Sequence, residues 1–338
     1  MKFGVLQFFS WPERRTPLEA VYERAVQRAE VMDRTGYDAV WLAEHHFAAF
    51  SVCPSVNLMG MHLANRTTRL RIGTAVSLAA FYHPLRLAEE VALLDVLSGG
   101  RVNWGAGRGF DRTEFDAFGV TPDDSYPRFR ENVEIVLAAW NNERLTHHGR
   151  FHHFDDVEVL PKPRQRPHPP VWMAAGSPEA IVWAAEAGHS IMMDPHSPYD
   201  EIARKHALYR RTLEANGHEH AGRDIPMARL VAIADTDAEA ADVARRGVSW
   251  IMGSYFTNDK NVTRDIRSPE RQAEAAPAPE GDPVERYLRN TAVHGSPERV
   301  IDQLLALQDE MALSYLLAAP LSHRSFELLT ERVLPKLL

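Results

Sequence analysis

The sequence predicts an α/β fold, a single (β/α)8 TIM barrel formed by all 338 residues. Eight short apolar segments alternate with longer helical patterns, and this alternation implies a parallel sheet. The segments are apolar almost throughout, as expected for parallel strands that are covered on both faces. Eight such units favour a closed barrel over an open sheet, and barrels of this type commonly use 250 or more residues as one domain.

The predicted strands are short and end at polar or small residues. In chain order they are Phe3–Phe8, Ala39–Leu42, Leu70–Val76, Val102–Ala106, Val171–Ala174, Ser190–Met193, Met227–Ile233 and Ser314–Ala318. Helical apolar spacing predicts the intervening helices. These are Leu18–Met32, one that begins near Pro54, one from Pro84 to Gly99, Arg128–Trp140, Pro178–Ala187, Tyr199–Ala215, Asp237–Ile251, Pro297–Leu307 and Phe326–Leu334. Pro297–Leu307 is one helix more than the eightfold repeat requires.

Two stretches interrupt the repeat and are predicted to be insertions. Thr146–Pro170 is rich in His, Pro and Arg and lies between the fourth unit and the fifth strand. Asn258–Arg286 contains many charges and four prolines and has no sustained apolar period. Long loops in barrel enzymes often cover the active site. The second stretch is therefore either a surface loop or a mobile lid.

Composition excludes several classes of protein. The formal net charge of −8 argues against a nucleic-acid binder, which normally has a basic face. No apolar run reaches the roughly 18 residues needed to span a membrane. The only cysteine, Cys53, rules out an intrachain disulfide and is compatible with a reducing compartment. The first residues enter a strand without a signal-peptide cleavage pattern, so we expect a cytoplasmic protein.

Candidate catalytic residues follow the second predicted strand. Active sites of such barrels lie at the C-terminal ends of the strands, and Glu44, His45 and His46 come directly after Ala39–Leu42. Histidine transfers protons near neutral pH and suits general acid–base catalysis. Neighbouring residues of an extended segment point to opposite sides, so the two histidines are not expected to face the same substrate. The alternative is that these histidines only form hydrogen bonds to the loop backbone. Glu44 either orients a histidine or braces the loop.

Candidate phosphate-binding residues follow the fourth and fifth strands. Arg108 lies in a glycine-rich segment, and its guanidinium offers forked hydrogen bonds to phosphate. The alternative is an ion pair between Arg108 and Asp111. Ser177 fits a helix N-cap before Pro178, and a helix N-terminus with a serine hydroxyl is a natural phosphate site. A plain N-cap is equally consistent with the sequence around Ser177.

Other residues are assigned by type. Small residues at the end of the third strand, around Ala75, allow a flat ring to approach the backbone closely. A substrate pocket is assigned to Phe8, His46 and Trp172. The histidines of the first insertion have no cysteine or acidic ligand set that completes a metal site, so no metal is predicted. They are His147, His148, His152 and His153.

At this point the motifs resemble the bacterial luciferase-like flavin-dependent monooxygenases. The resemblance runs in order along nearly the whole chain. It is carried by WLAEHHF, RLRIGTAV, HPLRLAEEVALLDVLSGGRVNWGAGRGFDRTEFDAFG, PPVWMAAGSPEAIVWAAEAG and HGSPERVIDQL. The LSGGR…GxGRG and EHHF segments together are specific to this family.

The resemblance implies reduced FMN as the cofactor, supplied by a separate flavin reductase. The reduced flavin would react with dioxygen to give a flavin hydroperoxide that oxidises a small to medium apolar organic substrate. Arg108 and Ser177 would bind the FMN phosphate, His45 would be the catalytic residue, and the Ala75–Val76 peptide would be cis. The implied cofactor-binding residues are Ala75, Gly107, Arg108, Gly109, Phe110, Gly176 and Ser177.

Three positions depart from the luciferase α subunit. Gly107 replaces a reactive cysteine, Gly176 replaces a glutamate, and Ala180 replaces a threonine that helps to hold phosphate. Light emission is therefore not implied. Two alternatives to an FMN-dependent monooxygenase remain: a deazaflavin-dependent oxidoreductase of the same superfamily that transfers hydride, and a non-catalytic partner like the luciferase β subunit. The family resemblance also implies a homodimer.

Overall fold

A ring of parallel strands forms the centre of the fold. The computed structural model describes residues 1–256 and 281–338. The strands within these ranges are β1 (Lys2–Gln7), β2 (Ala39–Leu42), β3 (Arg71–Thr74), β4 (Ser77–Leu78), β5 (Val102–Gly107), β6 (Leu145–His148), β7 (His153–Val157), β8 (Val171–Ala174), β9 (Ser190–Met192), β10 (Met227–Ile233), β11 (Val293–Gly295) and β12 (Tyr315–Pro320). All eight predicted strands are present.

The ring follows chain order and closes on itself. Its order is β1–β2–β3–β5–β8–β9–β10–β12, and β1 pairs in parallel with both β2 and β12. Between β9 and β10 the link is a single parallel bridge from Met193 to Met227. There the backbone N–H of Met193 donates to Pro226 O (2.8 Å), and Met193 O accepts from Ala228 N–H (3.1 Å). The predicted (β/α)8 barrel is confirmed.

The strands are buried on both faces because each alternates between two apolar layers. One layer lies inside the barrel and includes Leu6, Trp41, Trp172, Leu230 and Leu317. The other lies between the barrel and the helices and includes Val5, Val40, Met173, Val231 and Leu316. This double burial explains why the strand segments read as nearly continuous apolar runs.

Helices surround the ring and return the chain to the N-terminal end of the next strand. Within the described ranges they are α1 (Leu18–Arg34), α2 (Val56–Ala64), α3 (Pro84–Leu97), α4 (Arg112–Phe118), α5 (Pro122–Asn141), α6 (Pro178–Glu186), α7 (Tyr199–Ala215), α8 (Asp237–Ile251), α9 (Pro283–Asn290), α10 (Pro297–Met311), α11 (His323–Leu328) and α12 (Leu334–Leu337). No helix in the described ranges combines the length and apolar character that crossing a bilayer requires.

The third predicted strand is not continuous. Leu70–Val76 was expected as one strand, but β3 ends at Thr74 and the Ala75–Val76 peptide is cis, as the family resemblance implied. The chain then resumes as β4, whose Ser77 and Leu78 pair with the end of β5.

Helix α4 was missed, and α5 is longer than predicted. Asp111 caps α4 by accepting the N–H of Thr113 (2.7 Å), so a short helix fills the segment directly after the glycine-rich stretch. Helix α5 begins at Pro122 instead of Arg128, because Thr121 caps it and accepts the N–H of Asp124 (3.2 Å). A proline at the first helical position suits this start.

The two predicted insertions differ from the expectation in different ways. Within Thr146–Pro170, strands β6 and β7 form an antiparallel hairpin that pairs with no other strand of the described ranges. Of the predicted loop or lid Asn258–Arg286, residues 258–280 lie outside the described part. Its last residues are not loop, because α9 begins at Pro283 with Asp282 as its N-cap. Strand β11, also unpredicted, pairs with the C-terminal half of β10.

Candidate active site

The predicted site residues come from neighbouring strand ends on one rim of the barrel. His45 lies three residues after β2, Ala75 directly after β3 and Arg108 directly after β5. Ser177 lies three residues after β8. Because the strands are parallel and adjacent, their C-terminal ends meet at the same rim, where barrel enzymes have their active sites.

His45 lies in an aromatic setting at this rim. Its ring packs edge-on against Phe50 and Phe110, with centroid distances of 5.2 and 5.8 Å. Phe50 in turn contacts Phe8 (5.2 Å) and stacks with Trp250 of α8 (5.9 Å). The imidazole is 11% exposed, so it has limited access to solvent. Apolar rings around a proton-transferring group keep water away from it.

His46 faces the opposite way. Its Nε2 lies 3.1 Å from Oε1 of Glu44, and its ring packs edge-on against Phe118 of α4 (4.8 Å). Burial raises the pKa of Glu44, and the hydrogen bonds from His46 and Tyr82 only partly offset this effect. Tyr82 donates to Oε2 of Glu44 over 3.0 Å. Glu44 thus braces the loop together with His46.

A second buried carboxylate, Glu114 of α4, contacts the His45 side of the loop. Its side chain is 1% exposed, and its Oε1 lies 3.3 Å from Nδ1 of His45. The same Oε1 accepts the backbone N–H of His46 (2.9 Å). The sequence analysis missed Glu114 because it missed α4. The Asp111-x-x-Glu114 spacing, which is typical of a helix start, was the available signal.

Arg108 is a buried cation between two aromatic rings. Its guanidinium lies over Tyr126 (4.2 Å) and Phe115 (5.7 Å), and Nη1 donates to Ser125 Oγ (3.0 Å). Burial lowers the pKa of Arg108. Among the described residues no carboxylate forms an ion pair with it, and Asp111 caps α4 instead of pairing with it. The charge of Arg108 is therefore not neutralised by a carboxylate in the described part of the chain.

Ser177 and Arg108 are brought together by Tyr126 of α5. The Tyr126 hydroxyl lies 3.3 Å from Ser177 Oγ, while the Tyr126 ring lies under Arg108. Ser177 caps α6 by accepting the N–H of Ala180 (3.2 Å). A Cβ added to Gly176 would meet nothing within 4 Å, so the space in front of the α6 N-terminus is open. Tyr126 was not among the predicted site residues.

Gly107 and Gly109, at the C-terminal end of β5, allow neighbouring side chains to pack closely against the backbone. A Cβ on Gly107 would lie 2.3 Å from Val76 Cγ2, so the side of Gly107 that was expected to line the flavin pocket faces Val76. A cysteine at this position would require Val76 to move. Gly109 has a φ of +85°, and a Cβ there would meet the Phe81 ring at 3.2 Å. Ala75 and Val76 are half-buried at the rim.

A cavity of about 390 Å³ adjoins the His45–His46 loop. Its lining combines aromatic rings and small side chains with acidic groups. The lining residues are Glu13, His46, Phe47, Ala48, Ala49, Phe50, Asp111, Thr113, Trp250 and Ser254. This volume lies within the range of small-molecule pockets. His46 belongs to this lining, as its assignment to a substrate pocket requires, and Phe8 is one ring away through Phe50.

Trp172 lies elsewhere. Its indole packs edge-on against Trp41 inside the barrel (5.2 Å), and its Nε1–H donates to Asp224 O (2.9 Å). Asp224 precedes β10 and forms a 2.6 Å ion pair with Lys2 at the start of β1, so it marks the N-terminal end of the barrel. The structure thus places Trp172 on the floor of the barrel, away from the other predicted pocket residues.

His196 was missed although it follows a strand end. It comes four residues after β9, and its Nδ1 lies 2.7 Å from the hydroxyl of Tyr287 in α9, which also donates to Pro195 O (3.0 Å). Burial lowers the pKa of His196 to about 4, opposed by Asp194 and assisted by the nearby Arg229 and His45. The sequence signal for His196 was that it is a polar residue shortly after the predicted strand that corresponds to β9.

The histidines of the β6–β7 hairpin are used for local contacts. His147 Nε2 lies 3.3 Å from Oε1 of Glu131, and His148 Nε2 lies 2.6 Å from Oδ1 of Asp155. Glu131 also accepts the backbone N–H of Phe151 and His152 in the hairpin turn. In the described ranges, no three side chains of the metal-ligating types form a group that would hold a metal ion.

Similarity to known proteins extends over most of the chain. A family model described as luciferase-like monooxygenase matches residues 1–313. The oxygenase component of flavin-dependent trigonelline monooxygenase from Acinetobacter baylyi is 28% identical over 313 residues, which cover 91% of this chain and 86% of that relative.

Solved structures share the fold. A monooxygenase from Streptomyces bottropensis is 28% identical and superposes with a TM-score of 0.85 over 100% of both chains. The oxygenating constituent of 3,6-diketocamphane monooxygenase from Pseudomonas putida, solved in complex with FMN, has a TM-score of 0.80 over 100% of this chain and 99% of that chain. At 19% identity, this second likeness concerns the fold alone.

Proposed function

Because the chain belongs to the luciferase-like monooxygenase family, and is thereby a flavin-dependent monooxygenase, we propose that its cofactor is reduced FMN bound at the barrel rim. The observation that carries this proposal is the group formed by Arg108, Tyr126 and Ser177. It joins a buried cation without a carboxylate partner in the described part of the chain to a serine at an open helix N-terminus.

The residues of the rim fit FMN in two respects. A phosphate needs positive charge and hydrogen-bond donors, which Arg108, the Ser177 hydroxyl and the N-terminus of α6 supply. A flat ring needs an apolar slot with small side chains at its edge. Ala75 is a small, half-buried residue directly after β3, and the ring of Phe110 packs against His45, so both could contribute to such a slot.

The chain would bind, orient and shield the reactants, and the cofactor would supply the oxygen chemistry. When bound, reduced FMN would activate dioxygen so that one oxygen atom is transferred to an organic substrate. Arg108 and Ser177 would hold the phosphate, and His45 would move a proton through its imidazole. The rings of Phe8, Phe50 and Phe110 would exclude water from this proton transfer.

The substrate that fits this surface is a small to medium apolar organic compound. The aromatic rings around His45 offer an apolar surface, and the cavity of about 390 Å³ that includes Phe50 and Trp250 offers the space for such a compound. Specificity within this class would depend on the polar groups of the cavity lining, which include His46, Asp111 and Thr113.

We propose a separate flavin reductase as a partner, because the Acinetobacter relative is itself an oxygenase component. A cytoplasmic location suits this supply of reduced flavin and the buried, unpaired thiol of Cys53. We also propose a homodimer that buries apolar side chains of α2 and α3, which would otherwise face water. These are Leu58 (76% exposed), Leu93 (47%), Val96 (40%) and Leu97 (59%).

The function is tested with reduced FMN and ¹⁸O-labelled dioxygen on a panel of apolar aldehydes, ketones and aromatic compounds. We expect one labelled oxygen atom in the product. Turnover with a reduced deazaflavin in the absence of oxygen would instead support hydride transfer. Tight flavin binding without any product across the panel would support a non-catalytic partner.

His45→Ala is the matching variant test. We expect its rate of product formation to fall by about 10²–10⁴-fold, because positioned acid–base groups typically contribute that much. Its dissociation constant for FMN should stay close to the wild-type value, since the proposed phosphate-binding residues Arg108 and Ser177 are left intact. Normal turnover by His45→Ala would refute the catalytic assignment.

A further inference from the structure

Two adjacent histidines at the rim each contact a different buried carboxylate. His46 presents Nε2 to Glu44 (3.1 Å), whereas His45 presents Nδ1 to Glu114 (3.3 Å). The two rings therefore use opposite nitrogens for their carboxylate contacts. In a histidine, the nitrogen that bonds to a neighbouring group determines which nitrogen remains for chemistry.

Glu114 is held so firmly that it can set the position of His45. Its Oε1 also accepts the backbone N–H of His46 (2.9 Å), which fixes the carboxylate relative to the loop. Phe115, the next residue of α4, is fully buried against Phe81 (5.1 Å) and lies beneath Arg108. One helix thus connects the proposed phosphate-binding group with the proposed catalytic histidine.

We propose that Glu114 is a positioning residue that holds the neutral imidazole of His45 in the tautomer with the proton on Nδ1. The proposal rests on the proposed function, in which His45 moves protons. Oε1 of Glu114 acts as an acceptor toward the N–H of His46, and it accepts from Nδ1–H of His45 in the same way. Nε2 is then the nitrogen that takes up or releases a proton.

The contrast with Glu44 explains why one histidine reacts and the other does not. The carboxylate of Glu44 forms hydrogen bonds with Nε2 of His46, the hydroxyl of Tyr82 and the backbone N–H of Leu78. Glu44 therefore organises the loop through several partners. Oε2 of Glu114 has no hydrogen-bond partner among the described residues. Glu114 therefore contacts the rim residues through Oε1, and its main hydrogen-bonding contacts are those to His45 and His46.

The experiment uses flavin-free protein labelled with ¹⁵N in histidine. At alkaline pH, where imidazole rings are neutral, the nitrogen shifts report which nitrogen carries the proton. His45→Asn assigns the His45 signals. We expect wild-type His45 to carry its proton on Nδ1, and Glu114→Met to lose that preference. Glu44→Met is the matched control, because it should change the signals of His46 and leave the tautomer of His45 unchanged.

Turnover provides the second readout. Glu114→Met should lower kcat by about 10–100-fold, the usual effect of removing a group that orients a functional histidine. KM and the dissociation constant for FMN should change less than about threefold, because the reacting groups themselves remain. Glu114→Gln keeps an acceptor oxygen for Nδ1–H, so it should retain the tautomer and recover at least about tenfold in kcat over Glu114→Met.

The outcomes separate this proposal from the proposed function. A wild-type His45 with its proton on Nε2 would overturn the proposal, whether or not any variant folds. Glu114→Met with an unchanged tautomer and unchanged kcat would also overturn it. If wild-type protein incorporates no oxygen with reduced FMN, the proposed function fails, while the tautomer measurement on flavin-free protein still decides what Glu114 does to His45.

Discussion

Strand β5 has an arginine at each end, and the two are used differently. Arg101, before the strand, donates through all three guanidinium nitrogens, to the carbonyls of Ser98, Leu70, Ala64 and Thr67 and to the Thr67 hydroxyl. Arg108, after the strand, donates one hydrogen bond to Ser125 within the described residues. The protein's own acceptors satisfy the first cation, whereas the second has donors left for a ligand.

The carboxylates of the two barrel ends differ in the same way. At the N-terminal end, Asp33 accepts the backbone N–H groups of Thr68, Arg69 and Leu70 at 2.7–2.9 Å. At the rim, Glu114 leaves Oε2 without a hydrogen-bond partner in the described part of the chain. Asp33 at the N-terminal end is thus satisfied by the protein itself, whereas Glu114 lies at the rim where we propose the binding site, the end that carries the active site in this fold.

The largest expected effect is on cofactor binding by Arg108→Ala. Loss of charge-assisted hydrogen bonds to a phosphate should weaken reduced-FMN binding by about 100-fold. Anaerobic titration followed by flavin absorbance measures this change. Arg108→Lys should recover part of the affinity, because it restores charge without the forked geometry. Equal affinities for Arg108→Ala and wild type would remove the proposed distinction between the two ends of β5.

Arg101→Ala should show the opposite pattern. It deletes hydrogen bonds to buried carbonyls and should lower the free energy of unfolding by about 2–3 kcal/mol. Urea unfolding measures the loss. Its FMN affinity should match that of wild type once the protein is folded, because Arg101 lies at the far end of the strand. A large loss of FMN affinity with unchanged stability would contradict this assignment.

Asp33→Asn tests the pH dependence of stability at the N-terminal end of the barrel. Partial burial would raise the pKa of Asp33, but the hydrogen bonds from Leu70, Thr68 and Arg69 lower it to about 2. The lowered pKa means that the stabilisation is present above the unfolded value of about 3.9 and is lost as pH falls toward 2. Asp33→Asn should cost about 1–2 kcal/mol at pH 7 and distinctly less at pH 3, measured by urea unfolding. A difference that does not change with pH would disprove the assignment.

Trp172→Phe has the smallest expected effect. It removes the hydrogen bond to Asp224 O and part of the contact with Trp41, which should cost about 1 kcal/mol of stability. Thermal unfolding measures this cost. KM for a substrate should stay within about twofold of wild type if the indole belongs to the floor. A tenfold rise in KM would return Trp172 to the substrate pocket to which its sequence position assigned it.

Sequence patterns predicted the barrel well because the relevant signal is local. Each strand needs only a short apolar run, and each helix needs only apolar spacing along its own length. The two largest errors came from local signals that were not used. Asp111 is the N-cap of α4, a helix that the apolar spacing missed, and Thr121 is the N-cap of α5, which begins earlier than the apolar spacing indicated.

The site was predicted only in part because its contacts join distant residues. Glu114 reaches His45 across 69 residues, and Tyr126 reaches Ser177 across 51. No pattern in either segment indicates its partner. His45, Arg108 and Ser177 could be selected as candidates because each follows a strand, but Glu114 and Tyr126, which contact them, lie on helices packed against the rim.

By itself, the sequence determined the order of the eight barrel strands and the rim at which the residues that follow them lie, because parallel strands share one direction. The tertiary structure decided how deep in the barrel a side chain lies and which residues of separate elements contact each other. Trp172 points into the barrel as its strand alternation requires, yet the stagger of neighbouring strands places its indole on the floor beside Asp224. The same folded arrangement sets Glu114 against His45, since contacts between separate elements depend on their packing and not on spacing along the chain.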